Sequence, residues 1–390
     1  MNLASSSGGG GGWREVIANL TVNGGTFLTG ASIGLNTNNM FNVTGLLKMT
    51  AGTIAAQLNG GLRAGTVEIS GGAVNLDGGS AALSRESRLN VGSGGLTLTG
   101  GTINFNAGPT VVTSSSRGSI LALGGNLISV GTNSFARLNA AVAGPKAVVD
   151  LLGAERVFNV TGSLDLGTSA APISVINGAI TKTGTGTLTL SGVNPYTGAT
   201  NIDAGTLVLT GSIASSTRIE VDAGATFDVA GIPGGFTLGA TQTLAGNGTV
   251  AGAVSASGAI SPGTTSIGTL HFTAGLMLAG LANFEIGKTS LYSSADLADV
   301  AGNLAYGGTL NITATGDPLL AGDAFDLFDA SSFSGAFTAF QLPALAPGLA
   351  WSTSDLPVNG TIRVIPEPGA LVLAFSGCGL LVAVRRERRR

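Results

Sequence analysis

Between Lys182 and Gly211 the chain reads KTGTGTLTLSGVNPYTGATNIDAGTLVLTG, and this stretch limits the possible folds more than any other. Two segments, Thr187-Leu188-Thr189-Leu190 and Thr206-Leu207-Val208-Leu209, alternate, with leucines on one face and mainly threonines on the other. A period of two predicts strands that each bury one side. Between and after them stand Ser191-Gly192, Asn194-Pro195, Thr197-Gly198 and Asp203-Ala204-Gly205. These are turn formers: glycine reaches positive φ, proline fixes φ, and Asn and Asp bond their own backbone. The unit is strand, turn, strand, turn, with no helix.

A looser form of the same beat begins at about Ile17: apolar, any, apolar, small polar, small, Gly, small, apolar. It reads Leu20-Thr21-Val22-Asn23-Gly24-Gly25-Thr26-Phe27, then Leu47-Lys48-Met49-Thr50-Ala51-Gly52-Thr53-Ile54. Copies follow at Val67-Glu68-Ile69-Ser70-Gly71-Gly72-Ala73-Val74 and Leu96-Thr97-Leu98-Thr99-Gly100-Gly101-Thr102-Ile103. The spacings of 27, 20 and 29 residues are those of a solenoid whose loops vary in length. Ile219-Glu220-Val221-Asp222-Ala223-Gly224 and Leu270-His271-Phe272-Thr273-Ala274-Gly275 continue it. With 64 glycines and only 5% aromatic residues in 390, there is little core volume per residue. That suits a stack of coils, each burying a narrow inner face on its neighbours, better than a globule. The expected fold is all-β, a parallel β-helix with glycine at its corners. At roughly 20 residues per coil and about 4.8 Å per rise it would form about 15 coils and a rod of roughly 70 Å. A set of antiparallel β-sandwiches is the competing reading, since short strands and frequent turns describe those too.

The cassette resembles the autotransporter-associated β-strand repeat, also called the passenger-associated transport repeat. The resemblance is carried by Lys182, Gly184, Gly186, Leu188, Leu190, Gly192, Asn194, Tyr196, Gly198, Gly205 and Leu207, together with Thr183, Thr187, Ser191, Thr200, Thr206 and Leu209. Pro195 and Asn201 stand where the family more often has threonine. The resemblance implies a right-handed parallel β-helix on an exported, cell-surface or extracellular protein, and implies no chemistry. A self-transporting member of that family ends in a membrane β-barrel, whereas this chain ends in a single apolar segment.

The chain divides into four expected parts. Residues 1–16 form a flexible leader, MNLASSSGGGGG at its start, without the basic start and apolar core of a secretory signal, so a truncated or mis-assigned N-terminus is expected. Residues 17–290 form the β-helix, closing around Gly246-Asn247-Gly248-Thr249-Val250 and Ala259-Ile260-Ser261-Pro262-Gly263. Residues 291–364, richer in Phe, form a β cap over the exposed end of the solenoid, with Trp351 as a core anchor. Residues 365–390 form a sorting signal.

That last part reads IPEPGALVLAFSGCGLLVAVRRERRR. Its order of Pro366-Glu367-Pro368, an uncharged apolar segment over 369–384 and the cluster Arg385, Arg386, Arg388, Arg389, Arg390 resembles the PEP-CTERM sorting signal of Gram-negative envelope proteins. The resemblance implies an exosortase-type enzyme as processing partner. Sixteen helical residues span about 24 Å against a hydrocarbon core of about 30 Å, a length suited to a transient transmembrane helix in the inner membrane. The arginines would stay cytoplasmic as a membrane stop, with everything before Pro366 on the far side. Residues before proline avoid helix, so the motif is expected as an extended segment within reach of a membrane protease. An ordinary single-pass anchor is the plainer alternative.

Charge and chemistry are sparse. The terminal arginines outnumber Glu387 by four, so of the formal net charge of −3 the rest of the chain carries −7, and no basic face for nucleic acid remains. The single cysteine, Cys378, lies in the apolar segment and reads as a small hydrophobe; one cysteine makes no internal disulfide. The sole histidine, His271, alternates outward between Leu270 and Phe272 as a bystander. No His, Cys or carboxylate grouping has metal spacing, and Gly184-Thr185-Gly186 lacks the Lys-Ser/Thr and helix of a phosphate loop, so no cofactor is expected. Glu220, Asp222 and Asp228 are the nearest approach to an acidic cluster, without a basic partner close in sequence. The reading is a non-enzymatic structural or adhesive protein of the cell envelope or extracellular matrix. Its Thr-, Ser- and Asn-rich outer strands suit polysaccharide contact or self-association. The rival class is a β-helical polysaccharide lyase or hydrolase, which would gather several charged side chains in one groove.

Overall fold

The computed structural model describes residues 16–29, 40–56, 61–78, 87–107, 118–138, 147–264 and 266–367. Residues 1–15 of the leader expected over 1–16, Cys378, Pro368, the apolar segment and the arginine cluster lie outside the described residues, and Val16 opens the first strand. The chain forms two units, Met1–Phe236 with Gly248–Ala251, and Thr237–Asn247 with Gly252–Arg390. Among the described residues the only helix is the single turn Leu356–Asn359, and no helix is long and apolar enough to cross a membrane.

In the first unit each coil lays its strands parallel on those of the coil before. The repeated motif stacks in register with itself: Leu20 faces Leu47, Leu47 faces Val67 and Val67 faces Leu96. The column goes on through Leu127, Phe158, Lys182, Ile202 and Val221. From Leu47 to Val221 these positions are 0% or 1% exposed. Burying one such apolar side chain contributes about 1.5–3 kcal/mol, so the inner column holds successive coils together. Thr187–Leu190 and Thr206–Leu209 are the expected strands, parallel to each other with Leu188 on Leu207 and Leu190 on Leu209. Sequence reading missed a third strand in the cassette. Thr200–Ile202, placed among turn residues, also alternates and joins Ile180–Lys182 to Ile219–Val221.

The glycines serve two needs rather than the single one expected. Gly184 and Gly205 do take left-handed conformations, with φ of 76° and 68°. Gly186 does not: a Cβ there would stand 2.0 Å from the Gly162 carbonyl oxygen of the coil beneath. Close approach of backbone to backbone, not cornering, requires it.

The second unit repeats the parallel pattern with more aromatic side chains in its core. Leu281–Lys288 pairs over its whole length with Thr309–Gly316, which pairs in turn with Ala339–Gln341. Leu297–Tyr306 receives Thr269–Phe272 on one side and Phe328–Gly335 on the other. Parallel pairing thus continues past residue 291. Antiparallel pairing follows in a separate sheet, Ala324–Asp326, Thr361–Pro366 and Leu349–Ser352. The Leu356–Asn359 turn lies under Phe328–Gly335: the Tyr306 hydroxyl donates to the Leu356 carbonyl at 3.0 Å, and the Gly360 carbonyl accepts from the Leu327 N–H at 3.2 Å. Trp351 is half-buried, its ring 6.2 Å from Phe325 and its Nε1 donating to the Pro343 carbonyl at 2.9 Å. Strands 16 to 32 residues apart pairing in parallel fit a β-solenoid and not antiparallel sandwiches.

Candidate functional site

The signature side chains of the cassette meet one another's coils. Lys182 occupies an inward, core position of the strand Ser174–Thr183, between Phe158 and Ile202, and is fully buried. Its Nζ donates to the carbonyls of Thr183, Gly184 and Ala204 at 2.9, 2.8 and 3.0 Å, which uses all three ammonium protons. Burial lowers its pKa to about 8. Asn194, 1% exposed, accepts at Oδ1 from the Val175 N–H at 2.7 Å and donates from Nδ2 to the carbonyls of Gly192 and Ser212 at 2.8 and 3.1 Å. One amide thereby ties three coils. Tyr196, 0% exposed, shares a 2.7 Å hydrogen bond with Thr200, whose hydroxyl meets Ser216 at 2.9 Å, and Ser216 donates to the Gly198 carbonyl. Burial pushes the Tyr196 phenol well above its ordinary value. Leu188, Leu190 and Leu207 are core; the Cβ of a side chain at Gly192 or Gly198 would meet the backbone of the coil beneath. The polar atoms of Lys182, Asn194 and Tyr196 are thus engaged inside the stack.

The outward charges pair locally. Glu220 has a basic partner that sequence reading overlooked: Arg218, two residues earlier and on the same face, places Nε 2.8 Å from Glu220 Oε2. Asp222 and Asp203 are raised from the ordinary carboxylate value, first by burial and then by neighbouring negative charge. Asp228 Oδ1 accepts from the Ala230 N–H at 3.0 Å. In the second unit His271 does point outward, but its Nδ1 lies 2.8 Å from Asp299 Oδ2 on the next coil, where register sets the two side by side. Lys288 and Asp323 form a largely buried ion pair. Asp296, 1% exposed, accepts from the N–H groups of Gly268 and Glu285 at 2.8 and 2.7 Å; burial raises it to about 6 despite those bonds. Among the described residues no three His, Cys, Asp or Glu groups converge as for a metal ion.

An open groove of about 580 Å³ lies beside the cassette in the first unit. Its wall is a bulge in the strand Ala147–Val160, where pairing with Ser174–Thr183 breaks between Asp150 and Ala154. Leu152 and Asn177, in adjacent coils, have φ of 57° and 55° and are the only non-glycine residues at positive φ among those described. Asp150 joins them: its Oδ1 accepts from the Leu152 N–H at 3.0 Å and from Asn177 Nδ2 at 3.1 Å. Glu155 lines the same groove and accepts from the Thr181 hydroxyl.

At the C-terminal end of the described residues, Pro366 closes the strand Thr361–Pro366 opposite Leu349, and the Glu367 N–H donates to the Gly348 carbonyl at 2.8 Å. The segment is extended as expected, and exposed, but it is tied to a sheet.

Comparison with known proteins agrees with this architecture. Residues 180–209 match the family model described as passenger-associated-transport-repeat. Over 96 residues the chain is 41% identical to an extracellular serine protease of Serratia marcescens, covering 24% of this chain and 7% of that protein. The chain therefore spans a small fraction of that relative's length. The strand-rich, parallel stack carries a repeat of passenger type.

Proposed function

We propose that this chain is an exported, surface-associated or extracellular protein, a right-handed β-helix with a structural or adhesive role. The observation that carries the reading is the use made of the cassette's polar side chains. Lys182 and Asn194 are buried and bonded to neighbouring coils, and buried Tyr196 bonds Thr200, whose hydroxyl meets Ser216, so the repeat works as scaffold. The similarity to a protein named as extracellular supports a location outside the cytoplasm. Outward Thr, Ser and Asn side chains offer hydrogen bonds with few charges, a surface suited to polysaccharide or to a second copy. The antiparallel sheet and the Leu356–Asn359 turn close the end of the ladder as a cap.

The C-terminal segment serves, in this proposal, as a sorting signal held transiently in the inner membrane and cut by an exosortase-type enzyme. With Pro366 in a strand and the Glu367 N–H hydrogen-bonded, a cut beyond Glu367 would leave the three-stranded sheet whole. Intact-mass measurement of the protein from membrane and medium fractions of producing cells tests this. The expected species ends near Pro366-Glu367-Pro368; a mature form retaining Arg390 contradicts it. The adhesive role fails if the purified body neither associates with itself nor pulls down any polysaccharide.

The groove favours a second reading. Two carboxylates, Asp150 and Glu155, line one trough, as the active site of a β-helical carbohydrate-active enzyme would require. Release of reducing or unsaturated ends from a polysaccharide, lost in Glu155→Gln, would establish that reading over the scaffold one.

A further inference from the structure

We propose that the groove between Asp150 and Thr197 is a binding site for a neutral carbohydrate chain, giving the adhesive surface proposed above one defined point of contact. The proposal rests on that reading and narrows it to named residues.

Most of this unit needs only glycine where φ is positive, yet here a leucine and an asparagine are held there side by side. Each left-handed non-glycine residue costs of order 1–3 kcal/mol, and such strain gathers at ligand clamps. The fold does not demand it at Leu152, whose side chain is 49% exposed and contributes little to the core. The bulge has instead turned a large apolar side chain out to the rim of a trough. Bulges commonly re-aim side chains in this way next to binding sites.

The trough floor is cleared of side chains. Gly178, at φ 153°, lies where a Cβ would stand 2.2 Å from the Ala154 carbonyl oxygen, and Gly153 is left-handed at φ 77°. Around that floor stand Asp150, Glu155, Asn177 and Thr197, which offer carboxylate, amide and hydroxyl groups, with Leu152 as the apolar contact. Volume in the range of about 300–1,000 Å³ is typical of small-molecule sites, and about 580 Å³ fits one or two sugar rings. Sugar hydroxyls pair with carboxylate and amide oxygens, while the C–H face of a ring lies on an aliphatic side chain. None of the residues lining the groove is basic, and two are acidic, so anionic polymers are disfavoured by unpaired negative charge. The groove takes a neutral ligand.

Affinity electrophoresis of the full chain through gels containing dextran, mannan, xylan or alginate tests the proposal. At least one neutral polysaccharide is expected to retard the protein, and alginate to have no effect. Leu152→Gly and Asn177→Gly keep backbones that accept positive φ and remove only the side chains, so both variants should fold. Each is expected to weaken binding about tenfold, the loss of one good contact. Retardation unchanged in both variants overturns the groove while leaving polysaccharide adhesion standing. Retardation by alginate alone overturns the neutral ligand. No retardation in any gel overturns the groove and the glycan-adhesive reading together, and leaves self-association as the remaining role.

Discussion

The cassette coils and the terminal coils solve the same stacking problem with different materials. Around residues 180–209 the core is aliphatic and laced with polar groups: a lysine and an asparagine bond across coils, and a tyrosine hydroxyl joins Thr200, whose own hydroxyl reaches Ser216. Around residues 284–337 the core is aromatic: Phe284 and Phe328 lie 4.7 Å apart, and Tyr306 lies 5.3 Å from Phe328 and 4.9 Å from Phe337. Hydrogen bonds are directional, so the first arrangement fixes register at each coil. Aromatic burial is larger and less directional, which suits a region where regular stacking gives way to an antiparallel sheet.

The contrast can be broken by deleting one group from each region. Phe328→Ala should have the largest effect, about 3–5 kcal/mol of stability lost to an unfilled cavity, measured by denaturant unfolding of the full chain. A loss below about 1 kcal/mol would mean the aromatic cluster is not the anchor. Asn194→Ala should come next, at about 1–3 kcal/mol, because it leaves the Val175 N–H buried without this partner and takes one of two hydrogen bonds from each of the Gly192 and Ser212 carbonyls, which keep the backbone N–H groups of Ser212 and Asn194. Asn194→Asp should not rescue it, since a carboxylate cannot donate to Gly192 and Ser212.

Acidity sharpens the comparison, because the two regions titrate at opposite ends of the scale. Lys182 has a folded pKa of about 8, below its ordinary 10.5, so between those values the unfolded chain binds the extra proton. Stability should therefore rise as pH goes from about 8 to about 10, and Lys182→Met should lack that rise. Asp296, raised from 3.8 to about 6, holds a proton that the unfolded chain releases. Stability should fall as pH rises from about 4 to about 6, and less so in Asp296→Asn. Thermal melting of wild type against each variant, compared across those windows, checks both signs. The smallest effect is expected at the exposed His271–Asp299 pair, where His271→Ala should change stability by less than about 1 kcal/mol.

How much of this was legible depended on whether a residue's role repeats locally. Leucines alternating with threonines, followed by Gly, gave away Thr187–Leu190 and Thr206–Leu209, and the spacings of Leu20, Leu47, Val67 and Leu96 are the observed register. Lys182 was recognisable as a repeat position but not as a core one, because a lysine among threonines reads as outward. Only the carbonyls of the next coil make its burial tolerable. Thr200–Ile202 hid among turn formers. The partner of His271 stands 28 residues away, set by coil length rather than by any local pattern. Arg218, by contrast, was in plain view two residues from Glu220, and the strand period sufficed to pair them. Nothing in the order of residues around Leu152 announces a left-handed leucine, so the groove became visible only with the backbone.

The central claim is that the cassette's polar side chains lock neighbouring coils to one another. Hydrogen–deuterium exchange on Asn194→Ala, read by mass spectrometry against wild type, tests it most directly. Faster exchange is predicted in peptides covering Ser174–Thr183 and residues 210–216, with residues 328–341 unchanged. Unchanged exchange on those neighbouring coils, or equal acceleration throughout the chain, would contradict it.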